Sequence, residues 1–214
     1  MTVPHELLVE LQRRLEAFYA LEPQAPVTEF VIPPDEAAAY PGRGSRTLVR
    51  EAGGEIKVGV VFDETTAHRL RERDPRVRLD SANLDSFAVA TEEVSHFVYL
   101  MFCAASERSI TELELELQAE VDKYLTTLAY LSLQSEGAVA PGLRQALFRR
   151  YHLLEGLTSE RAERYHAASR LADRYCGWLE ARFLRPGRLG DLAREARRFY
   201  RLGQGEKLER IARM

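Results

Sequence analysis

The sequence predicts an α+β, mostly helical fold, in which a small β-hairpin region packs on a helix pair and an all-helical C-terminal extension follows. Apolar residues recur at intervals of three and four through most of the chain after residue 83, which is the period of amphipathic helices. A short alternating segment around Gly53-Gly54 has the period of two that strands show. The 214 residues, 45% hydrophobic and 29% charged, have an ordinary globular composition.

The N-terminal part begins with one helix and continues with a proline-rich segment. Residues 3–21 carry leucines and aromatic residues at helical spacing, and Thr2 is the expected N-cap. Prolines between residues 22 and 44 exclude a long helix, because proline lacks the amide donor and clashes with the preceding turn. Within that segment, residues 27–32 can form a short strand.

The hairpin is the clearest local signal. Residues 46–52 and 55–62 alternate in polarity on either side of Gly53-Gly54, and glycine accepts the positive φ that a two-residue turn requires. A short helix over residues 64–73 follows and ends at Asp74-Pro75.

The remainder is predicted to be helical. Ser109 and Glu112 have the spacing of a capping box at the start of the second helix in this part. The glycines and proline between residues 137 and 142 predict a loop and a boundary, which divides the chain into residues 1–138 and 139–214. The predicted helices span residues 83–107, 109–134, 142–157, 159–185, 188–201 and 204–213.

Charge is distributed unevenly along the chain. The formal net charge is -3, but residues 141–214 contain 17 Lys and Arg against 9 Asp and Glu, and residues 1–140 contain 13 against 24. Such a split indicates two halves that dock on each other or a basic end that meets an acidic partner. Four arginines on one predicted helix face also make nucleic acid a candidate partner, although the near-neutral total argues against a dedicated binder. They are Arg194, Arg197, Arg198 and Arg201.

Two short stretches in the predicted helix pair carry groups that bind metals. Glu92 and His96 lie four residues apart, which puts both side chains on one helix face at about 6 Å, close enough to hold one ion. Glu93 lies next to Glu92, and Glu116 belongs to a row of carboxylates on the following helix. A helix pair of this composition predicts a metal site or a buried polar network.

The two stretches resemble a degenerate form of the ImmA/IrrE family of zinc metallopeptidases. That family carries an H-E-x-x-H helix followed by a helix of the form E-x-x-A. Residues 88–96 follow the first pattern with Glu92 in place of the first histidine, and residues 116–119 follow the second, with Tyr124 near the family's aromatic position. The resemblance covers at most residues 50–135, and it implies a zincin-like helix pair in a metallopeptidase-like region.

The resemblance also implies roles for individual residues. Glu92, His96 and Glu116 would be the metal ligands, and Glu93 would be the general base that activates a metal-bound water. Zinc is the family's ion, but one imidazole and two carboxylates form a harder donor set, for which manganese or iron becomes comparatively favourable. Because the first histidine is missing, the leading prediction is a metallopeptidase-like protein with an altered or lost metal site.

Other interpretations of the same residues stay open. Glu93 with His96 and Glu163 with His166 are both E-x-x-H pairs, which occur in the di-iron sites of four-helix bundles. The carboxylates that recur every fourth residue from Glu112 onward can instead be a solvated face, or can meet arginines of the basic half. The alternative function is a non-enzymatic helical interaction or regulatory module, with a protein partner that recognises the acidic or basic face.

The location follows from composition. No uninterrupted apolar run approaches the roughly 18 residues needed to cross a bilayer, so no membrane association is predicted. The first residues lack the basic and apolar regions of a signal peptide. Cys103 and Cys176 lie in apolar helical patterns, and buried reduced thiols predict a cytoplasmic protein.

Overall fold

The computed structural model describes residues 2–40, 42–52, 55–135, 142–149 and 158–214. The fold is α+β and mostly helical, as predicted, with one antiparallel sheet of two strands, β1 (Arg46–Ala52) and β2 (Glu55–Val61). Helix α7 continues into a π-helical segment, Glu180–Leu184. The described helices are α1 (His5–Tyr19), α2 (Pro34–Ala37), α3 (Glu64–Glu72), α4 (Leu84–Ala105), α5 (Glu112–Gln134), α6 (Leu143–Arg149), α7 (Ser159–Leu179), α8 (Leu189–Arg201) and α9 (Gln204–Ala212).

The hairpin has the predicted register, with Ala52 opposite Glu55; its turn, Gly53-Gly54, lies outside the described residues. The strand predicted over residues 27–32 is wrong. Residues Val27–Phe30 form a 3-10 turn, and only Val31 forms a bridge, to Val60 of β2. The flanking prolines at 26 and 33 cannot donate to a strand ladder, and the Val27 amide donates to Gln12 Oε1 at 2.7 Å instead.

Two helix starts differ from the prediction in their capping. Helix α1 begins after Pro4 without a side-chain cap, so Thr2 does not have the expected role. Helix α5 begins at Glu112, where the Thr111 side chain accepts from the Glu114 amide at 3.1 Å. The predicted Ser109–Glu112 capping box is therefore wrong, and the helix starts further along the chain.

Helices α4 and α5 form an antiparallel pair at the centre of the molecule. Helix α1 and the hairpin pack on α4, while α7 packs on α5. By length and composition alone α4 could cross a membrane, but 61% of its apolar window is buried inside the protein, as in a core helix. One hydrophobic cluster includes Leu7 and Phe97 together with Tyr175 and Phe199, so both predicted segments contribute to it. The division at residue 138 stays a prediction.

The predicted helix over residues 142–157 is described only as Leu143–Arg149, and its remainder lies outside the described residues. Both cysteines are free and buried, as expected.

Candidate metal centre

The antiparallel helix pair brings Glu92, His96 and Glu116 together. Each offers one ligand atom, and these atoms all lie within 4.8 Å of one another. The i,i+4 spacing places Glu92 and His96 on the α4 face that meets α5, and the pairing of the two helices brings Glu116 opposite His96. The expected convergence of the three side chains is confirmed.

His96 lies between two carboxylates. Its Nε2 is 3.5 Å from Glu116 Oε2, and its Nδ1 is 3.7 Å from Glu93 Oε2. Burial lowers the pKa of His96, but Glu116 and Glu93 outweigh that effect and raise the pKa well above its usual value. Nε2 is buried and has no hydrogen-bond partner of good geometry among the described residues. A metal ion bound at Nε2 would displace the proton there, since histidine binds metals as the neutral imidazole.

Glu93 lies on the Nδ1 side of His96, away from Glu116. The Thr47 hydroxyl on β1 donates to Glu93 Oε2 at 2.7 Å, so the hairpin holds this carboxylate in place. Burial raises the pKa of Glu93 above the usual glutamate value. A carboxylate beside the second ring nitrogen is the arrangement that orients a metal-bound histidine. The general-base role predicted for Glu93 stays a prediction.

A lysine that the sequence interpretation missed lies next to the site. Lys123 Nζ is 2.7 Å from Glu92 Oε2 and 2.8 Å from Glu120 Oε1. Burial alone would raise the pKa of Glu92, but Lys123 and His96 lower it below its usual value. The i,i+3 spacing of Glu120 and Lys123 was visible in the sequence, but their pairing with Glu92 across the helices was not.

A tyrosine of α7 also faces the cluster. Burial raises the pKa of Tyr165, and so do the carboxylates of Glu116, Glu92 and Glu93. The residues of the second E-x-x-H pair, Glu163 and His166, are exposed instead. They do not join the buried cluster, so the structure does not assemble the di-iron arrangement.

The acidic row on α5 divides into two environments. Glu112 is at the surface and meets Arg164 of the basic half at 2.6 Å, while Glu114 is buried and pairs with Arg108 at 3.0 Å. Glu116 is only 9% exposed and turns toward His96. An arginine of the basic half thus accounts for the start of the row but not for the part next to His96.

The four arginines of α8 have different environments. Arg197 Nε donates to the Phe18 carbonyl at 2.5 Å, and Arg201 donates to the Tyr19 carbonyl at 2.9 Å, so both bind the C-terminal end of α1. Arg194 pairs with Asp191 on its own helix, and Arg198 is exposed. Two of the arginines predicted to meet a partner therefore hold two helices of the same chain together.

The cluster is nearly closed to solvent. The side chains of His96 and Glu93 are each 6% exposed, that of Glu116 is 11% exposed and that of Glu92 is 18% exposed. Two surface concavities, of about 240 and 680 Å³, lie elsewhere, one beside the hairpin at Arg46 and one beside α1 at Arg13. A peptide substrate would have to approach an ion in the cluster from the side of Glu92, the most exposed of these four side chains.

Comparison with known proteins gives no family: no family model matches the chain, and neither a curated protein nor a solved structure is significantly similar to it. The resemblance to the ImmA/IrrE metallopeptidases is therefore carried by the short residue patterns of α4 and α5 alone.

Proposed function

We propose that this chain is a metallopeptidase-like protein that binds one divalent metal ion between α4 and α5, through Glu92, His96 and Glu116. The observation that carries the proposal is the buried Nε2 of His96, which has no hydrogen-bond partner among the described residues and lies 3.5 Å from Glu116 Oε2, in a group that also includes Glu92. Buried polar atoms normally make hydrogen bonds, so a ring nitrogen that has only a 3.5 Å contact with a carboxylate favours a cation between the two groups.

The charge of the cluster supports the same conclusion. The carboxylates of Glu92, Glu93, Glu116 and Glu120 are largely shielded from water, and Lys123 pairs with two of them, Glu92 and Glu120. Because uncompensated buried charge is costly, a divalent ion would stabilise the folded chain. One imidazole and two carboxylates can bind zinc. Compared with a site of two imidazoles, this harder donor set is more favourable for manganese or iron.

The metallopeptidase-like part of the proposal rests on Glu93 and on the pattern of the two helices. A bound ion of this kind polarises carbonyl groups and lowers the pKa of a bound water. Glu93 follows Glu92 directly, as the catalytic glutamate follows the first ligand in H-E-x-x-H helices. Its contacts with Thr47 and His96 Nδ1 support a positioning role at least as directly as a general-base role.

The alternative is a non-enzymatic interaction module. The exposed Arg194 and Arg198 favour it, because they leave positive charge on the outer face of α8 for an acidic protein or for nucleic acid. For either function we propose a cytoplasmic location, which the two free, buried cysteines support.

Metal analysis of the full chain, purified without a histidine tag, tests the proposal. After dialysis against Zn²⁺ or Mn²⁺ we expect one ion per wild-type chain and at least a tenfold weaker affinity in Glu116→Gln. Glu112→Gln is the matched control, since Glu112 lies one turn earlier on the same helix and pairs with Arg164 at the surface. Wild-type protein that binds neither ion, or equal losses in both variants, would exclude this site.

Two further variants separate the roles of Glu93. If Glu93 is a general base, Glu93→Gln would leave metal affinity unchanged and abolish any peptidase activity. If Glu93 instead positions His96, Glu93→Gln would weaken metal binding by about 10–100-fold, the range for residues that hydrogen-bond to a metal ligand. Thr47→Val removes the donor that holds Glu93, so a positioning role also predicts weaker binding in that variant.

A further inference from the structure

Lys123 lies beside the candidate metal centre and binds carboxylates on both helices. Its ammonium nitrogen is 2.7 Å from Glu92 on α4 and 2.8 Å from Glu120 on α5. The lysine side chain is 12% exposed, so these ion pairs are largely shielded from water. A positive charge is thereby fixed between the two helices, one turn away from His96 along α4.

Glu92 is shared between this lysine and the candidate metal site. Its carboxylate belongs to the group formed with His96 and Glu116, and its Oε2 also contacts Lys123. Glu120 contacts the lysine and is not part of that group. Two neighbouring cation positions that share a carboxylate are typical of two-metal sites, in which the ions are about 3.5–4 Å apart.

Glu120 has more capacity to bind a cation than Lys123 uses. The residue is 6% exposed, and its Oε2 is a buried atom without a hydrogen-bond partner among the described residues. The second position therefore contains an acceptor that the ammonium group leaves unsatisfied, close to the carboxylates of the first.

We propose that Lys123 occupies the second of two adjacent cation positions, with Glu92 as the shared carboxylate, and so restricts the helix pair to a single divalent ion. The inference rests on the proposed metal site at Glu92, His96 and Glu116. Without the lysine, the carboxylates of Glu92 and Glu120 would lose the cation that lies between them, and a second divalent ion would take its place. Lys123 is thus the residue that determines how many ions the site holds.

The test measures the number of bound ions in the full, tag-free chain. Wild type, Lys123→Ala and Lys123→Met are dialysed against Mn²⁺, the bound metal is quantified, and electron paramagnetic resonance distinguishes isolated ions from an exchange-coupled pair. Lys57→Ala is the control, since Lys57 is an exposed lysine of β2. We expect one ion in wild type and control, and two coupled ions in both Lys123 variants.

The other outcomes separate this inference from the proposed function. One ion in every protein overturns the role of Lys123 and leaves the proposed site standing. No ion in any protein overturns both. Two ions in wild type, or an ion that appears only when Lys123 is replaced, would show that the lysine does not fill a second position beside an occupied first one.

Glu120→Gln provides a second test, which does not require the Lys123 single variants to fold. Glu120→Gln keeps the lysine and alters only the second position, so wild-type affinity for a single ion is expected. Loss of that ion would make Glu120 a ligand of the first position and would overturn the inference. In Lys123→Ala with Glu120→Gln both charges of the pair are removed, and the second ion should be absent.

Discussion

Lys207 on α9 donates to the hydroxyl of Tyr99 on α4 at 2.8 Å, inside the molecule, where the lysine is 0% exposed. The same ammonium group donates to Gln118 Oε1 on α5 at 2.7 Å. Tyr99 in turn donates to Glu114 at 2.6 Å and accepts from Arg108 at 2.7 Å. The last helix of the chain is therefore attached to the central helix pair by a buried polar network.

The network predicts that stability depends on pH. Burial lowers the pKa of Lys207 to about 7, against 10.5 for an exposed lysine. Below pH 7 Lys207 is charged in both the folded and the unfolded state, and the folded state bears the full cost of burying that charge. Between pH 7 and 10.5 Lys207 is charged only in the unfolded chain. The Lys207 contribution to the free energy of unfolding therefore increases with pH above 7, by at most about 1.4 kcal/mol per pH unit.

Denaturant unfolding of wild type and Lys207→Met from pH 7 to 8.5 measures this effect. Cysteine thiols begin to ionise near the upper end of this range, but both proteins contain the same two cysteines, so that contribution largely cancels in the difference. We expect the difference in unfolding free energy between the two proteins to change with pH, and no such change for Lys57→Met, an exposed lysine. Parallel curves for wild type and Lys207→Met would contradict a lowered pKa. The charged and titratable groups that face Lys207 are Glu114, Asp122, Arg108, Cys103 and Tyr99.

The arginines of α8 should differ in their effect on stability. Arg197 and Arg201 donate to carbonyls at the end of α1, so changing both to Gln should lower the free energy of unfolding by about 1–2 kcal/mol, allowing for their partial exposure. Changing Arg194 and Arg198 to Gln should have little effect, since they face outward. Thermal unfolding of the two double variants compares them directly.

The same two proteins test the predicted partner. Binding to a nucleic acid duplex and to an acidic peptide is measured against salt, because exposed charge contacts weaken as ionic strength rises. If the outer face of α8 binds a partner, the variant at Arg194 and Arg198 loses salt-sensitive binding while remaining folded. Equal binding by wild type and this variant would make these arginines a solvated surface.

The cap of α5 provides a test of local stability. Thr111→Ala removes the oxygen that accepts from the Glu114 amide and should lower the free energy of unfolding by about 1 kcal/mol. Ser109→Ala is the matched control, because that residue lies before the cap, and it should be close to neutral. Equal destabilisation by both changes would contradict the observed helix start.

Restoring the missing imidazole should strengthen zinc binding. Glu92→His places a second histidine one turn before His96, which gives two imidazole ligands and one carboxylate, the donor set of H-E-x-x-H enzymes. Titration with Zn²⁺ should show a higher affinity than in wild type. Asp85→His adds an imidazole at an exposed position of the same helix and should leave zinc affinity unchanged; an unchanged affinity in Glu92→His would contradict the site.

The hairpin and most of the helices were predictable because their signals are local. Alternation on both sides of Gly53-Gly54 predicts β1 and β2, and apolar residues at helical spacing predict α4 and α5. The strand expected over residues 27–32 failed for a tertiary reason: Gln12, from another helix, takes the Val27 amide. Periodicity alone contains no information about such a contact.

The site was predictable only in part. Helix geometry by itself puts Glu92 and His96 on one face, and the antiparallel helix pair then brings in Glu116, as expected. Lys123, Thr47 and Tyr165 come into contact with the cluster through the pairing of α4 with α5 and through the docking of β1 and α7. Lys123 is 31 residues from Glu92 and Thr47 is 46 residues from Glu93 along the chain, so no spacing rule connects these pairs.

The sequence by itself determined that this protein is mostly helical, that one hairpin precedes the central helices, and that an acidic helix pair presents Glu92 and His96 together. Only the tertiary structure decided that Lys123 forms an ion pair with Glu92, that Thr47 donates a hydrogen bond to Glu93, and that Arg197 binds the end of α1. The physical reason is that helices and turns follow from nearby residues, whereas the partner of a buried charge depends on how whole elements rotate and pack to close one core.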